Sequence, residues 1–418
     1  MNNLPDLPDN WRTQHLFLLV GSNSLPNYVA AHLLALPSAT VHLIFTEEVA
    51  SICGALETAI KQRLPKTTVK SYQVHNADSG EIRVRLQAIL EPLKGRVKSQ
   101  EVGFNYTGGT KVMAVHTYQA LTAAFPDLVC TYLDAKELFL IRDNPNQAAT
   151  GVFVRDNCAV SMQEISALHG YELPGAKSIQ TQTRVPTLLK KINELYQEPT
   201  RRAAWKKWTQ EASWKEDNPE HALNLLRTDP HFAPLANFLQ ELDSLCGGKA
   251  LARGVADALG LATTNGCKTW FNGTWLEEQT LDVIAKLAPT HGITSYGLMN
   301  KRIYRRVGDK QMLRNFQLDV ALMHGYQLFA FSCMASEAKA SCKEHLLEVY
   351  VRARQLGGDE ARVALVCGYE KTKELQEEVE DEWFTEGRIR VFGMAELRNL
   401  QSHVDQWLKE ANRSKRRN

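Results

Sequence analysis

Nothing in the chain can staple it covalently. Its eight cysteines are scattered, with no Cys-x-x-Cys pair. Neither a disulfide frame nor a zinc centre is expected, and the thiols read as reduced core residues. The twelve histidines never fall into His-Glu-x-x-His or a similar metal spacing. No apolar run approaches the ~18 residues of a membrane span. The opening stretch MNNLPDLPDN shows no basic-then-apolar signal pattern. A cytoplasmic protein without membrane contact is therefore expected. An excess of one charge is missing too. The 49 Lys and Arg against 47 Asp and Glu leave a formal net charge of +2. Composition does not call for nucleic acid, and any basic surface must be local. There is no internal repeat, no Gly-x-x-x-x-Gly-Lys-Ser/Thr loop, and no Gly-x-Gly-x-x-Gly after the first strand.

What is present is ample apolar material. With 418 residues, 44% hydrophobic and 23% charged, the chain can fill two or three soluble domains. The first 150 or so residues alternate strand and helix signals. HLFLLVG, TVHLIFT, KSYQVHN and EVGFNYTGG read as strands, and NYVAAHLLAL, EEVASICGALETAIKQRL, GEIRVRLQAILEPL and TKVMAVHTYQALTAAF as helices. LVCTYLDAKELFLIRDN closes the pattern as a hairpin. Alternation of this kind predicts a parallel α/β sheet, which binds ligands at the carboxyl ends of its strands. Residues 156–260 read as a helical connector of small, winged-helix-like pieces, rich in Trp and Lys around AWKKWTQEASWKEDNPEHALNLL. From about 265 the order becomes α-β-β-α-β, a compact second α/β domain, and NRSKRRN reads as a solvated end. The expected division is 1–155, 156–260 and 261–418.

Two turns of the first domain carry chemistry. The first strand runs into VGSNSLPNY and the fourth into NYTGGTKVM, and each turn precedes a helix. Free N–H groups and the positive helix end favour an anion there. Ser22, Asn23 and Ser24 add short polar side chains. Thr107, Thr110 and Lys111 add hydroxyls and a cation, and Gly108 and Gly109 let backbone approach a ligand closely. On residues alone, two tight capped turns and a phosphate site both remain open.

These turns, on an α/β unit of about 150 residues, resemble the CARF domain, the sensor of type III CRISPR defence. YLDAKELFLIRDN and ALHGY share the likeness, and the Asn-Tyr-Thr-Gly-Gly-Thr-Lys-x-Met run resembles a branch that carries a C-terminal nuclease-like domain. The resemblance implies a Rossmann-like CARF domain, a ligand that is a cyclic oligoadenylate, usually cyclic tetra-adenylate, and a homodimer whose two-fold axis matches the ring's. It implies that Lys111 and the turn amides meet phosphates, with Ser22, Asn23, Thr107 and Thr110 on phosphate, ribose or adenine. Tyr28 and Tyr106 read as core, and Thr46 and Glu47 lie near the same edge.

The last domain resembles the PD-(D/E)XK restriction-endonuclease-like fold. There a helix supplies Glu, one hairpin strand Asp and the other Glu-x-Lys, to hold Mg²⁺ or Mn²⁺ and activate water for attack on DNA or RNA. Glu277 and Asp319 match the first two positions, as catalytic and metal-holding residues. The Glu-x-Lys positions fall on Ser332, Cys333 and Met334. Some restriction enzymes place Ser on the strand and the acid on the next helix, which would make Ser332 and Glu348 the substitutes and Lys343, or Lys339, the cation. Lys343 and Glu348 are five apart and do not share a helix face, whereas Glu348 and Arg352 do. These charges also read as a solvated helix face, and Cys333 reads as core. For nucleic acid, Lys301, Arg302, Arg305 and Arg306 around Tyr304 suit a basic, aromatic surface. Arg201, Arg202, Lys206 and Lys207 beside Trp205 and Trp208 read instead as a lobe with buried tryptophans. Three classes stay open: an activated nuclease, a sensor with a degenerate nuclease domain, and an unrelated nucleotide-binding enzyme.

Overall fold

The first strand shows why a doubly covered sheet forms. In β1 (Thr13–Leu19), Leu16 and Leu18 enter one core while Phe17 and Leu19 enter another. Both faces of the strand are thus buried, as its continuous apolar run requires. The structure is a computed structural model. It describes residues 7–75, 77–143, 148–172, 179–210, 214, 218–299, 303–307, 310–314, 318–385 and 387–412.

The N-terminal sheet has β2 (Ala35–Phe45), β3 (Thr68–Gln73), β4 (Val102–Asn105), β5 (Val129–Asp134), β6 (Phe139–Asp143) and β7 (Thr150–Phe153) in the order β3-β2-β1-β4-β5-β6-β7. Strands β1 to β5 pair in parallel, and β6 and β7 add on antiparallel. Helices α1 (Leu25–Leu34) and α2 (Ala50–Arg63) cover one face, and α3 (Ser79–Leu90) and α4 (Lys111–Ala124) the other. The expected order of strands and helices is found, with β7 an addition. The chain leaves β1 one way through β2 and β3, then returns to pair β4 on its other side. That reversal puts a crevice at the carboxyl ends of β1 and β4.

After α5 (Met162–Leu168) and the short β8 (Tyr171–Glu172) come the helices of the central segment. They are α6 (Pro186–Tyr196), α7 (Pro199–Gln210), α8 (Pro219–Thr228), α9 (Ala236–Cys246) and α10 (Leu251–Leu259), three of them opened by a proline where its missing N–H costs nothing. Then α11 (Gly266–Thr269) runs through a π-helical turn, Trp270–Thr274, into α12 (Trp275–His291). Strand β9 (Ser295–Met299) follows, and then β10 (Ile303–Val307) and β11 (Lys310–Arg314), a hairpin that pairs with β8.

The second large sheet adds β12 (Leu318–His324), β13 (Gln327–Met334), β14 (Arg362–Cys367) and β15 (Ile389–Phe392), in the order β15-β14-β13-β12-β9. Helix α13 (Lys339–Gly357) links β13 to β14, α14 (Thr372–Trp383) links β14 to β15, and α15 (Met394–Leu397) and α16 (Leu400–Asn412) close the chain. Trp205, Phe271 and Trp275 share one core with Phe331 and Trp407. The central helices and the last sheet therefore share a core. A separate core joins α1, α2 and α5 to α13 and the inner face of β12 and β13.

Besides that core, a backbone contact joins the two sheets. The turn after β12 presses on the segment following β7. The Tyr326 amide donates to the Arg155 carbonyl at 3.2 Å, and the Val160 amide to the Gly325 carbonyl at 3.0 Å. Gly325 has φ +60°, and a Cβ there would lie 2.0 Å from the Arg155 carbonyl oxygen. Buried Arg155 is held in turn by Asp156, at 2.8 and 2.9 Å. Gly325→Ala is expected to lower stability by more than about 1 kcal/mol, read as a lower urea midpoint at unchanged m-value.

Candidate functional site

At the crevice the two expected turns abut. A Cβ on Gly21 would lie 3.2 Å from the Gly109 amide nitrogen. A Cβ on Gly108 would lie 2.2 Å from the Leu19 carbonyl oxygen, and one on Gly109, at φ +77°, would lie 2.7 Å from Leu19 Cβ. Only glycine permits this approach. Side chains around it fix the backbone. Asn27 donates to the Leu19 carbonyl at 2.9 Å. Asn105 accepts from the Thr107 amide at 3.2 Å and donates to the Thr131 hydroxyl at 3.1 Å. The Leu133 amide donates to the Thr107 hydroxyl at 2.7 Å. Thr110 caps α4, accepting from the Met113 amide at 3.2 Å. That leaves Lys111 exposed at the first helical position and Ser22 exposed on the facing turn.

Two residues of the first turn are engaged elsewhere. Ser24 is buried and donates to the Leu168 carbonyl at 3.1 Å, so its hydroxyl faces α5 rather than the crevice. Asn23 accepts from the Leu25 amide at 3.0 Å, and its amide group packs against Gly358, where a Cβ would lie 1.9 Å from Nδ2. The C-terminal end of α13 thus touches the turn. Tyr28 is core, donating to Glu164 at 2.8 Å. Tyr106 stacks on Tyr132, with ring centroids 5.6 Å apart. Thr46 is buried beside Glu47, which lines a separate cavity of about 400 Å³ with His75 and Arg85.

The second constellation lies at the edge of the last sheet. Glu277 sits in the first turn of α12, just past the π-helical turn, a distortion common at functional sites. Its neighbour Glu278 is structural, buried and accepting from Trp270 at 2.9 Å and Thr183 at 2.7 Å. Asp319 occupies a register shift between β12 and β9, the kind of bulge that re-aims a side chain. It accepts from the Cys333 amide at 2.7 Å and the Ser332 hydroxyl at 3.2 Å. Burial raises its pKa above the usual carboxylate range, while those two hydrogen bonds and His345 pull it back. Glu277, Asp319, Ser332, His345 and Glu348 line one cavity of about 250 Å³.

Lys343 is not among them. It turns to α14 and pairs with Glu378 at 2.9 Å and Glu382 at 2.8 Å, and Lys339 also pairs with Glu378. The basic groups on the cavity wall are instead His345 and Arg352. Sequence reading missed His345. The signal was its three-residue spacing from Glu348, which puts both on one helix face. Glu348 pairs with Arg352. Cys333 is a core thiol, its pKa raised by burial. The oxygen donors suit a hard divalent cation, but among the described residues no three His, Cys, Asp or Glu side chains stand close enough to hold one ion. Of the expected nucleic-acid cluster, Lys301 and Arg302 lie outside the described residues. Arg305 and Arg306 fall on strand β10 rather than on a loop.

Beside Asn23, at the end of α13, lies Glu360. It is buried at 2% exposure, and neither carboxylate oxygen reaches a hydrogen-bond donor. Burial, first of all, pushes its pKa up to about 7 from an ordinary 4.5. Between those values the folded chain holds a proton that the unfolded chain has released, so stability falls as pH rises through that window. Glu360→Gln is expected to flatten this slope. It should gain up to about 3 kcal/mol over wild type at pH 8 and nothing at pH 4, as measured by urea unfolding at the two pH values.

No known protein-family profile matches the sequence, and no curated protein matches it either. Solved structures do. Protein VC1899 from Vibrio cholerae superposes with a TM-score of 0.61 at 18% identity, over 95% of this chain and 98% of that one. Can2 from Sulfobacillus thermosulfidooxidans, solved in complex with cyclic tetra-adenylate, superposes with a TM-score of 0.59 at 14% identity, over 94% of this chain and 97% of that one. At such identities the likeness is one of fold: the chain has the mixed α/β architecture of both, with a parallel-rich Rossmann-like sheet, over nearly its whole length.

Proposed function

We propose that this chain is a sensor-effector of type III CRISPR defence: a CARF-type homodimer that binds a cyclic oligoadenylate and in response cuts DNA or RNA. The observation that carries the reading is the contact of the Gly21 and Gly109 turns at the switch point of the parallel sheet. It offers backbone amides, the α4 N-terminus and Lys111 to one anionic ligand. The shared fold of Can2, a protein seen with cyclic tetra-adenylate, supports that ring as ligand. A ring with two-fold symmetry suits two copies of the same turns. Residues 1–155 act as the sensing unit, and 261–418, with the 156–260 helices packed on it, as the effector.

Coupling follows from α13. Its 19 residues span about 28 Å. Its C-terminal end touches Asn23, and its first half carries His345 and Glu348 beside Asp319. Any ligand that moves the first turn therefore meets a rigid element of the effector. The ring must bind one arrangement of the protomers better than the other for this to matter.

In the effector, Glu277 and Asp319 are the residues that would hold Mg²⁺ or Mn²⁺, drawn together with Glu348 on activation. The ion, when bound, supplies Lewis-acid polarisation of the phosphate. Ser332 fixes one Asp319 oxygen, and His345 and Arg352 are the basic groups that line the cavity in place of a strand lysine. Arg305 and Arg306 on β10 add positive charge for a polynucleotide. A second reading, a sensor whose nuclease site is inactive, is favoured by Ser332-Cys333-Met334 and by the lack of a three-donor group among the described residues.

Calorimetric titration with cyclic tri-, tetra- and hexa-adenylate tests the sensor. One tetra-adenylate ring per dimer is expected, with Lys111→Ala weakening it at least tenfold; no binding by any ring ends the proposal. Cleavage assays with ring and Mg²⁺ or Mn²⁺ separate the two readings. Glu277→Ala and Asp319→Asn should abolish cutting and keep ring affinity, whereas a wild type that binds the ring and cuts neither DNA nor RNA is a sensor only.

A further inference from the structure

The cavity holding Asp319 does not end there. A larger cavity, of about 610 Å³, shares Glu277, Cys333 and His345 with it, so the two adjoin along one cleft. The far wall of that cleft is α7, from the central helices. Trp205 and Trp208 lock the rotation of α7 by burying their rings against Phe238 and Phe271. That places Lys206 on the cleft wall, with Arg202 one turn before it.

Both cations converge on one carboxylate. Glu337 pairs with Lys206, and with Arg202 at 3.6 Å. Arg202 is oriented further by the Tyr196 carbonyl at 3.4 Å and by Glu370 at 3.8 Å. Glu337 belongs to the loop joining β13, which carries Ser332, to α13, which carries His345 and Glu348. The Tyr196 hydroxyl straps the same loop by donating to the Ala335 carbonyl at 2.9 Å. A lysine and an arginine focused on one anion, on a wall leading directly to paired acids, have the charge geometry of a phosphate clamp.

We propose that Lys206 and Arg202 form a phosphate subsite for the nucleic-acid strand next to the bond to be cut, and that Glu337 stands in for that phosphate until the strand enters. This rests on the nuclease reading above and gives its substrate a path. Lys206 is one-third exposed and Glu337 slightly more. A pair at this exposure contributes little to stability, so an incoming phosphate can displace the carboxylate from Lys206, while Arg202, at 17% exposure, stays oriented by Glu370 and the Tyr196 carbonyl. A strand bound this way runs from α7 across His345 to Asp319, between the central helices and the last sheet.

The test is fluorescence anisotropy with single-stranded DNA and RNA oligonucleotides. Calcium replaces magnesium, and cyclic tetra-adenylate is present or absent, over a range of salt. Lys206→Ala is expected to bind about tenfold more weakly. It should also lower the slope of log K against log salt by about 0.7, a change that a purely structural lysine would not produce. Glu337→Gln, which removes the competing carboxylate, is expected to bind ~3-fold tighter. Wild-type affinity and salt slope in Lys206→Ala, or no tightening in Glu337→Gln, overturns the subsite while leaving the nuclease reading intact. If the wild type binds neither DNA nor RNA under any of these conditions, the nuclease reading itself fails and takes the subsite with it. The DNA and RNA arms show which polynucleotide the clamp prefers.

Discussion

The structure depends on how closely two pieces of backbone approach at one point. The turn after β4 lies so close to the end of β1 that no Cβ fits at Gly108 or Gly109, and Gly21 meets the Gly109 amide from the other side. This approach is possible only because β1 and β4 are neighbours, and they are neighbours because the sheet reverses its winding there. The buried amides Asn27 and Asn105 hold the carbonyl and amide that the tight turns would otherwise leave open. The result is a closely packed edge at a helix N-terminus, with Ser22 and Lys111 exposed on it while its buried members serve the fold.

That same edge is not isolated from the rest of the chain. Asn23 faces inward to Gly358, which has φ +65° and no room for a side chain. The helix before Gly358 carries His345 and Glu348 near its middle, and the core that packs it also contains α1, α2 and α5. The glycine contact at Gly325 is the second fixed point between the sheets. One is a side-chain amide against a glycine and the other a backbone contact, and at neither glycine is there room for a Cβ.

How much of this was legible follows from the kind of burial involved. Strands β1, β2 and β4 are covered on both faces, so they appear as unbroken apolar runs flanked by turn residues, and their order could be read. The Thr-Gly-Gly-Thr-Lys turn was legible because glycine and hydroxyls before a helix have few other uses. Strands β10 and β11 were not. Ile303–Val307 is rich in arginine, and its pairing with β8 is a contact across more than 130 positions that no local pattern encodes. The central helices were legible as helices, but their sharing a core with Phe331 and Trp407 was not, since amphipathicity shows that a face is buried and not against what.

The same distinction applies to the cavity at Asp319. Glu277 and Asp319, singled out by the resemblance of the last domain, line that cavity together because one opens a helix and the other sits at a strand start. The cation was misplaced because a helix of 19 residues offers several charged candidates, and charge alone does not choose among them. Lys343 finds two carboxylates on α14 and is neutralised there. His345, two residues on, is rotated by about 200° and reaches the cavity instead. Ser332 completes the arrangement: where an acid on the strand would repel Asp319 across the ladder, a hydroxyl donates to it. Glu348 stands on the facing helix, so the cavity carries its acids without two buried carboxylates side by side on the sheet.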